Sequence, residues 1–159
     1  MKTEKTLSNA WDQHVGAEFA AKDADQAVAT MTVKSYVNLI PLMIGARGRD
    51  GVREFYANYF LSQLPPDIEI VPVSRTIGQD RVVDELIIRF THSIRMDWLL
   101  PGIPPTGKRV EVPLVAIIQF EGDRSRTSTC TGTRLRCSSS LTFSIERFPC
   151  AVAKSRLKC

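Results

Sequence analysis

From Ile68 onward the apolar residues of this chain alternate, and before it they do not. A period of two places every second side chain on the same face of an extended strand. On that period Leu86, Ile88, Phe90, His92, Ile94, Met96 and Trp98 share one side of a single long strand over residues 81–98. "IEIVPVSRTIG" reads as the strand before it, ending near Gly78, with "QD" as the turn. Pro101, Gly102, Pro104 and Pro105 mark a loop. "RVEVPLVAIIQF" follows, apolar on both faces, which predicts a central strand. "EGD" is then a hairpin turn, and a further antiparallel strand is expected after it.

Upstream the period is helical. Leu7, Trp11, Val15 and Phe19 recur every four residues and predict an amphipathic helix over 6–21, with His14 at the edge of the stripe. Asp23 can cap a second, shorter helix over 24–31. "SYVNLIPLM" is short, apolar and broken by Pro41, so it reads as an edge strand or extended segment, and "GARGRDG" as a loop. Asp50 is a suitable cap for a third helix whose face carries Val52, Phe55, Tyr56, Tyr59, Phe60 and Leu64, and Pro65-Pro66 end it. Helices followed by a meander of long strands predict an α+β fold, a curved antiparallel sheet with helices packed on one side. Such an arrangement can enclose a conical, mostly apolar pocket for a small hydrophobic ligand.

Composition narrows the partners. No apolar run approaches the ~20 residues that span a bilayer, and "MKTEKTLSNAWDQH" lacks the apolar core of a signal peptide. A cytoplasmic protein without a membrane partner is expected. The composition then breaks at residue 124. Of the 21 Lys and Arg and 17 Asp and Glu, eight bases and a single acid, Glu146, lie in 124–159, so a net acidic body carries a basic tail. All four cysteines (Cys130, Cys137, Cys150 and Cys159) lie in that tail. Basic nucleic-acid arms are usually Lys-rich and Cys-poor, so no nucleic-acid partner is expected. The tail has no CxxC pair and no histidine, and the body has two distant histidines and no cysteine, so no metal is expected. "GARGRDG" fits neither GxGxxG nor a P-loop, and no cofactor is expected.

Two residues are candidate catalysts. His92, on the apolar side of the long strand, could serve as general base or as hydrogen-bond donor to a carbonyl. The alternative is a core histidine satisfied by backbone. Asp97, beside Trp98, could have a raised pKa and take a proton alpha to a carbonyl. Alternation, however, points Asp97 away from Trp98, and without a bulge it would be a loop-anchoring or solvated acid. Trp11, His14, Tyr56, Phe60 and Trp98 are candidate substrate-binding residues, and all could equally be core. A Tyr56 hydroxyl in the pocket could donate to a substrate oxygen. One of Asp84 and Glu85 is expected to lie inside or be paired.

The stretches "DELIIRFTH", "MDWLLPG" and "PTGKRVEVP", with the "AWDQH" and "GVREFYANYF" helices ahead of them, resemble a known pattern. Over roughly residues 8–123 the chain is similar to the SnoaL-like polyketide-cyclase group of the nuclear-transport-factor-2-like superfamily. The resemblance implies a cone-shaped curved antiparallel sheet on three N-terminal helices, a cystatin-like roll. It implies a small-molecule domain. One activity it implies is cofactor-free general acid/base chemistry (cyclisation, isomerisation, or lactone or epoxide opening) on a small hydrophobic carbonyl compound. The alternatives are a non-catalytic ligand-binding or dimerisation module, or an inactive frameshifted product. A homodimer through the sheet is expected where the C-terminus is intact. In members of the group the last turn leads into a strand like "KIAHEHIYWDQASVL", whose acid is the proposed general base, and then a closing helical segment. This chain has neither, so the last strand is expected to be missing or replaced and the site incomplete. His92 and Asp97 are the carried-over candidates that remain.

The tail reads differently in another frame. Residues 124–140 can be reverse-translated, with codons chosen freely, so that one A restored at the front yields "KIAHEHMYWDQASVLVQ". Continuing through Leu141–Cys159 yields "LDVLDRALPVRGCQEPAEV". Codon freedom lies mainly at third positions, so chance would rarely return a motif of this length. The chain is therefore expected to divide into a cone domain over 1–123 and an aberrant, out-of-frame tail over 124–159. The tail as written offers little apolar area and thiols expected to be exposed, with "LTFSIERF" able to pair as a makeshift strand through Leu141, Phe143 and Ile145. Sequencing the gene across the Asp123 codon is expected to show a one-nucleotide loss. An intact frame there, with no homopolymer or deletion, refutes the frameshift.

Overall fold

Both sequence periods meet in space, helices on the inner face of a bent sheet. The computed structural model describes residues 4–40 and 42–132. Leu141, Phe143, Ile145, Cys137, Cys150 and Cys159 lie outside the described residues. α1 (Glu4–Val15) buries Leu7, Trp11 and His14 and runs on into a π-helical turn, Gly16–Ala20. Asp23 caps α2 (Ala24–Ala29), its carboxylate accepting from the amides of Asp25 at 2.9 Å and Gln26 at 3.0 Å, as the sequence predicts. α3 (Arg49–Phe55) starts after Gly48, whose φ of 72° suits glycine. Asp50 therefore sits in the first turn rather than at the cap, with its carboxylate near the partial positive charge of the helix end. A second π-helical turn, Tyr56–Phe60, and a short 3₁₀ turn, Leu61–Gln63, continue α3.

The strands are β1 (Met31–Ile40), β2 (Ile44–Arg47), β3 (Glu69–Ile77), β4 (Arg81–Thr91), β5 (Arg109–Glu121) and β6 (Arg124–Gly132). They form one curved, unclosed sheet in the order β2-β1-β6-β5-β4-β3. Every pairing is antiparallel except β1 with β6, which is parallel. The long alternating segments pair as predicted: Val82, Leu86, Ile88 and Phe90 of β4 stand opposite Ile118, Leu114, Val112 and Val110 of β5. Leu86, Ile88, Phe90, Val110 and Val112 pack in one cluster with Tyr56, Phe60 and Val52 from the helical layer, and Val82 and Ile118 in a second with Leu7 and Trp11 of α1. No helix among the described residues is long and apolar enough to cross a membrane.

Three local expectations change. β1 is not an edge strand, because part of "GARGRDG" forms β2 outside it. Gly45 permits this pairing, since a Cβ there would collide with the Val37 carbonyl. β4 stops at Thr91 rather than Trp98. The Ser93 amide donates to the Thr91 carbonyl at 2.7 Å and the Leu100 amide to the Met96 carbonyl at 2.6 Å, folding the chain back on itself. Met96 and Trp98 are buried all the same, which is why the alternation continues past the strand's end.

The expected strand after "EGD" is β6, built from the first residues of the basic tail. Backbone ladders are made by N–H and C=O groups common to all residues, so a polar sequence can complete one. Its side chains fit less well. Ser125, Thr127 and Ser128 are buried, and the Ser125 hydroxyl has no hydrogen-bond partner among the described residues. Neither do the hydroxyls of Thr32 and Ser35 on neighbouring β1. Cys130, expected to be exposed, is half-buried and faces inward. An unpartnered buried hydroxyl costs about 1–3 kcal/mol. Ser125→Ala is therefore expected to raise the urea unfolding midpoint, by about 1 kcal/mol of stability. A lowered midpoint would show that the hydroxyl is satisfied.

Candidate functional site

The helical layer and the sheet leave a cavity of ≈ 40 Å³ between them, on a scale where one water needs about 10–15 Å³. Its wall is apolar over most of its extent, with Leu86, Ile88 and Leu114 from the sheet and Phe19, Phe60 and Trp98 from the helical side. Polar groups gather at one pole, formed by Glu18, Tyr56, Ser128 and Cys130. Both π-helical turns supply this wall: Glu18 and Phe19 come from the first, Tyr56 and Phe60 from the second. A π turn holds extra backbone per turn and re-aims the side chains that follow it.

At the pole, His14 Nε2 lies 3.1 Å from Glu18 Oε1 and 3.3 Å from the Tyr56 hydroxyl. His14 Nδ1 lies 2.6 Å from Thr30 Oγ1, and that hydroxyl donates its hydrogen to the Ala27 carbonyl at 2.7 Å. Thr30 is thus the acceptor, and Nδ1 carries a proton. The contact between Nε2 and Glu18 then needs one further proton, held by the imidazole or by the carboxyl. Burial, followed by the charge of Glu18 and its hydrogen bond, raises the Tyr56 hydroxyl well above its ordinary pKa, so it is a neutral donor. Burial, and then Glu18, pushes the Cys130 thiol up to about 12, so it is a thiol and not a thiolate.

A second network holds α1 in place. Arg75 donates to both oxygens of Asp84, at 2.9 and 2.8 Å, and also to Ser8 and Asp12 of α1 at 2.8 Å. Trp11 Nε1 donates to Asp84 Oδ2 at 2.7 Å, and its ring stacks on His14 with centroids 5.4 Å apart. Asp84 is the inward, paired acid the sequence called for, while Glu85 is exposed and accepts from the Ser74 hydroxyl at 2.5 Å.

Of the residues singled out from sequence, Trp11, Tyr56, Phe60 and Trp98 line the cavity. His14 is buried behind it, touching Glu18 and Tyr56. His92 and Asp97 are not among the lining residues. His92 is buried where the chain leaves β4, with Nδ1 3.3 Å from the Thr106 hydroxyl and Nε2 unpartnered. Burial lowers its pKa and keeps it neutral. Asp97 accepts from Arg95 Nε at 2.6 Å and from the Gly102 amide at 3.2 Å. The Arg95 hydrogen bond holds its carboxyl below the usual range, and it anchors the loop. Both positions follow from β4 ending at Thr91, since alternation no longer aims the residues beyond it. Glu18 is the site residue that sequence reading missed. Its signal was the four-residue spacing from His14 and seven-residue spacing from Trp11, which put it on the buried side of the helix. Among the described residues no group of three or more His, Cys, Asp or Glu is placed to hold a metal ion.

The SnoaL-like domain family matches residues 10–126. Among solved structures, the chain is similar to a candidate SnoaL-like polyketide cyclase from Jannaschia sp. CCS1, with 18% identity and a TM-score of 0.64, covering 83% of this chain and 90% of that one. It is similar to a candidate polyketide cyclase from Acidithiobacillus ferrooxidans, with 18% identity and a TM-score of 0.64, covering 84% and 92%. A third is SalBIII, described as an epoxide hydrolase/cyclase-like enzyme in pyran ring formation in the polyether salinomycin, with 16% identity, a TM-score of 0.63, and 84% and 95% covered. At these identities the likeness shows the fold. No curated protein matches the chain.

Proposed function

We propose that this chain, which belongs to the SnoaL-like domain family, holds a small hydrophobic carbonyl compound in its cavity and performs cofactor-free acid/base chemistry on it. Cyclisation, isomerisation, and lactone or epoxide opening are the reactions this covers. The observation that carries the reading is an apolar cavity whose polar groups converge on one wall. The cyclase and epoxide hydrolase/cyclase-like descriptions of the structural neighbours support it at the level of fold, which one architecture lends to many chemistries.

One observation favours a second reading, a non-catalytic binding module: the two catalytic candidates from sequence, His92 and Asp97, lie outside the cavity wall. A cytoplasmic protein that forms a homodimer through the sheet where the C-terminus is intact belongs to the same proposal, supported by Val73 and Ile117, large apolar side chains that β3 and β5 leave exposed. So does an out-of-frame tail beyond a 1–123 domain. The family match ends at residue 126, close to the compositional break, and the first side chains the tail buries are hydroxyls.

The test uses the whole chain and small ketones, cyclohexanone and acetophenone. Trp11 and Trp98 fluorescence reports binding, and ¹H NMR in D₂O reports exchange of the α-protons. Quenching with exchange is the expected result. Quenching without exchange makes the domain a binding module, and neither signal removes the reading. Light scattering on the chain with one base restored at the Asp123 codon is expected to give twice the chain mass, and a single-chain mass there removes the dimer.

A further inference from the structure

We propose that Glu18 is the proton-transferring group of this cavity, with the Tyr56 hydroxyl binding the carbonyl oxygen and His14 as the positioning residue that sets Glu18's geometry and proton. The inference rests on the acid/base reading above and assigns that reading to particular atoms.

Among the described residues Glu18 is the one carboxylic residue in the cavity wall. It is 6% exposed, so bulk water does not compete for it. Taking a carboxylate out of water is costly unless it is paired. Glu18 is kept in use by its pairing with His14 at 3.1 Å. With Nδ1 committed to Thr30, the imidazole can hold the shared proton on Nε2 and leave Glu18 as the carboxylate. The other titratable groups facing Glu18 do not compete as bases. Tyr56 and Cys130 are both held neutral, and both present hydrogen-bearing atoms at the same pole. Asp84 is committed to Arg75 and to the Trp11 indole.

The arrangement suits a ketone with an α C–H bond. Glu18 takes the α-proton, and the C–H electron pair becomes the C=C bond of an enolate. The enolate oxygen accepts a hydrogen bond from Tyr56, whose hydroxyl turns from Glu18 to the oxyanion once Glu18 has taken the proton. The proton then returns from Glu18 to the same carbon, giving exchange, or to the γ-carbon of an unsaturated ketone, giving isomerisation. Atoms and electrons balance with no further reactant. The small cavity limits the reacting portion of the ligand to a few heavy atoms.

The test is α-proton exchange of cyclohexanone in D₂O by the full-length chain and its variants. Glu18→Gln is expected to lower the exchange rate at least about 100-fold while leaving tryptophan quenching and cooperative unfolding unchanged. Tyr56→Phe is expected to lose about 100-fold. His14→Gln is expected to move the acidic limb of the rate–pH profile to higher pH, because Glu18 loses its cationic partner. A merely structural role would lower the amplitude without moving the limb. If the wild-type chain exchanges but Glu18→Gln retains its rate, this inference fails and the broader reading stands. If the wild-type chain does not exchange, the broader reading fails and takes the inference with it. Should Glu18→Gln not fold, Glu18→Asp decides. It keeps the charge but withdraws the carboxylate by one methylene, and a loss of at least about tenfold is expected. A full-rate Glu18→Asp overturns the assignment.

Discussion

The position of α1 depends on one carboxylate. Asp84 projects from the inner face of β4, where an unpaired charge would cost several kcal/mol. Arg75 reaches it from adjacent β3 with two parallel hydrogen bonds and extends the same guanidinium to Ser8 and Asp12. Trp11 closes the clasp from α1 itself. Three elements far apart in sequence are thereby tied at a single point. Because the indole N–H is spent on Asp84, Trp11 offers the cavity only an apolar ring, and that ring stacks on His14. The helix that carries His14 and leads into Glu18 is thus fixed in both height and rotation.

Opposite the clasp, β6 shows that a ladder and a core are separate requirements. Its backbone pairs with β5 on one side and β1 on the other, so the sheet is continuous. Its buried side chains contribute little to the core. A fully buried large aliphatic residue stabilises by about 1.5–3 kcal/mol, whereas Ser125 and Ser128 bring hydroxyls that must themselves be satisfied. Where β6 meets the cavity it presents Ser128 and Cys130, both small. The size and polarity of the pole are therefore set in part by this strand, and a bulkier residue at either position would enter the space the ligand needs.

Much of the fold was readable because its signals are local. The alternation along β4 and β5, the Asp23 cap and the Leu7–Trp11 stripe each depend on near neighbours in sequence. The readings that changed depend on distant ones. β2 exists because Gly45 can lie against Val37, and β4 ends at Thr91 although inward residues continue to Trp98. Four of the five substrate-binding candidates line the cavity, since a buried aromatic on an inner helix face has little else to line. Glu18 was illegible for a definite reason. A carboxylate is read as solvent-facing even where helical spacing puts it beside Leu7 and Trp11, and no pattern of side chains announces the π turn that carries it.

The same geometry explains how an acid can persist in so apolar a cavity. A lone carboxylate there would simply take up a proton and become inert. An arginine or lysine partner would hold the carboxylate charged, but it would also hold it permanently, since neither gives up a proton near neutral pH. Histidine alone can exchange a proton with a carboxyl at modest cost. Thr30 sharpens this by fixing which imidazole nitrogen faces Glu18, so the proton between the two residues has one route rather than two. The His14–Glu18 pair is neutral as a whole in either of its two forms. It can therefore sit beside an uncharged, apolar ligand without a net charge, and still place a full negative charge on Glu18 when the proton rests on His14.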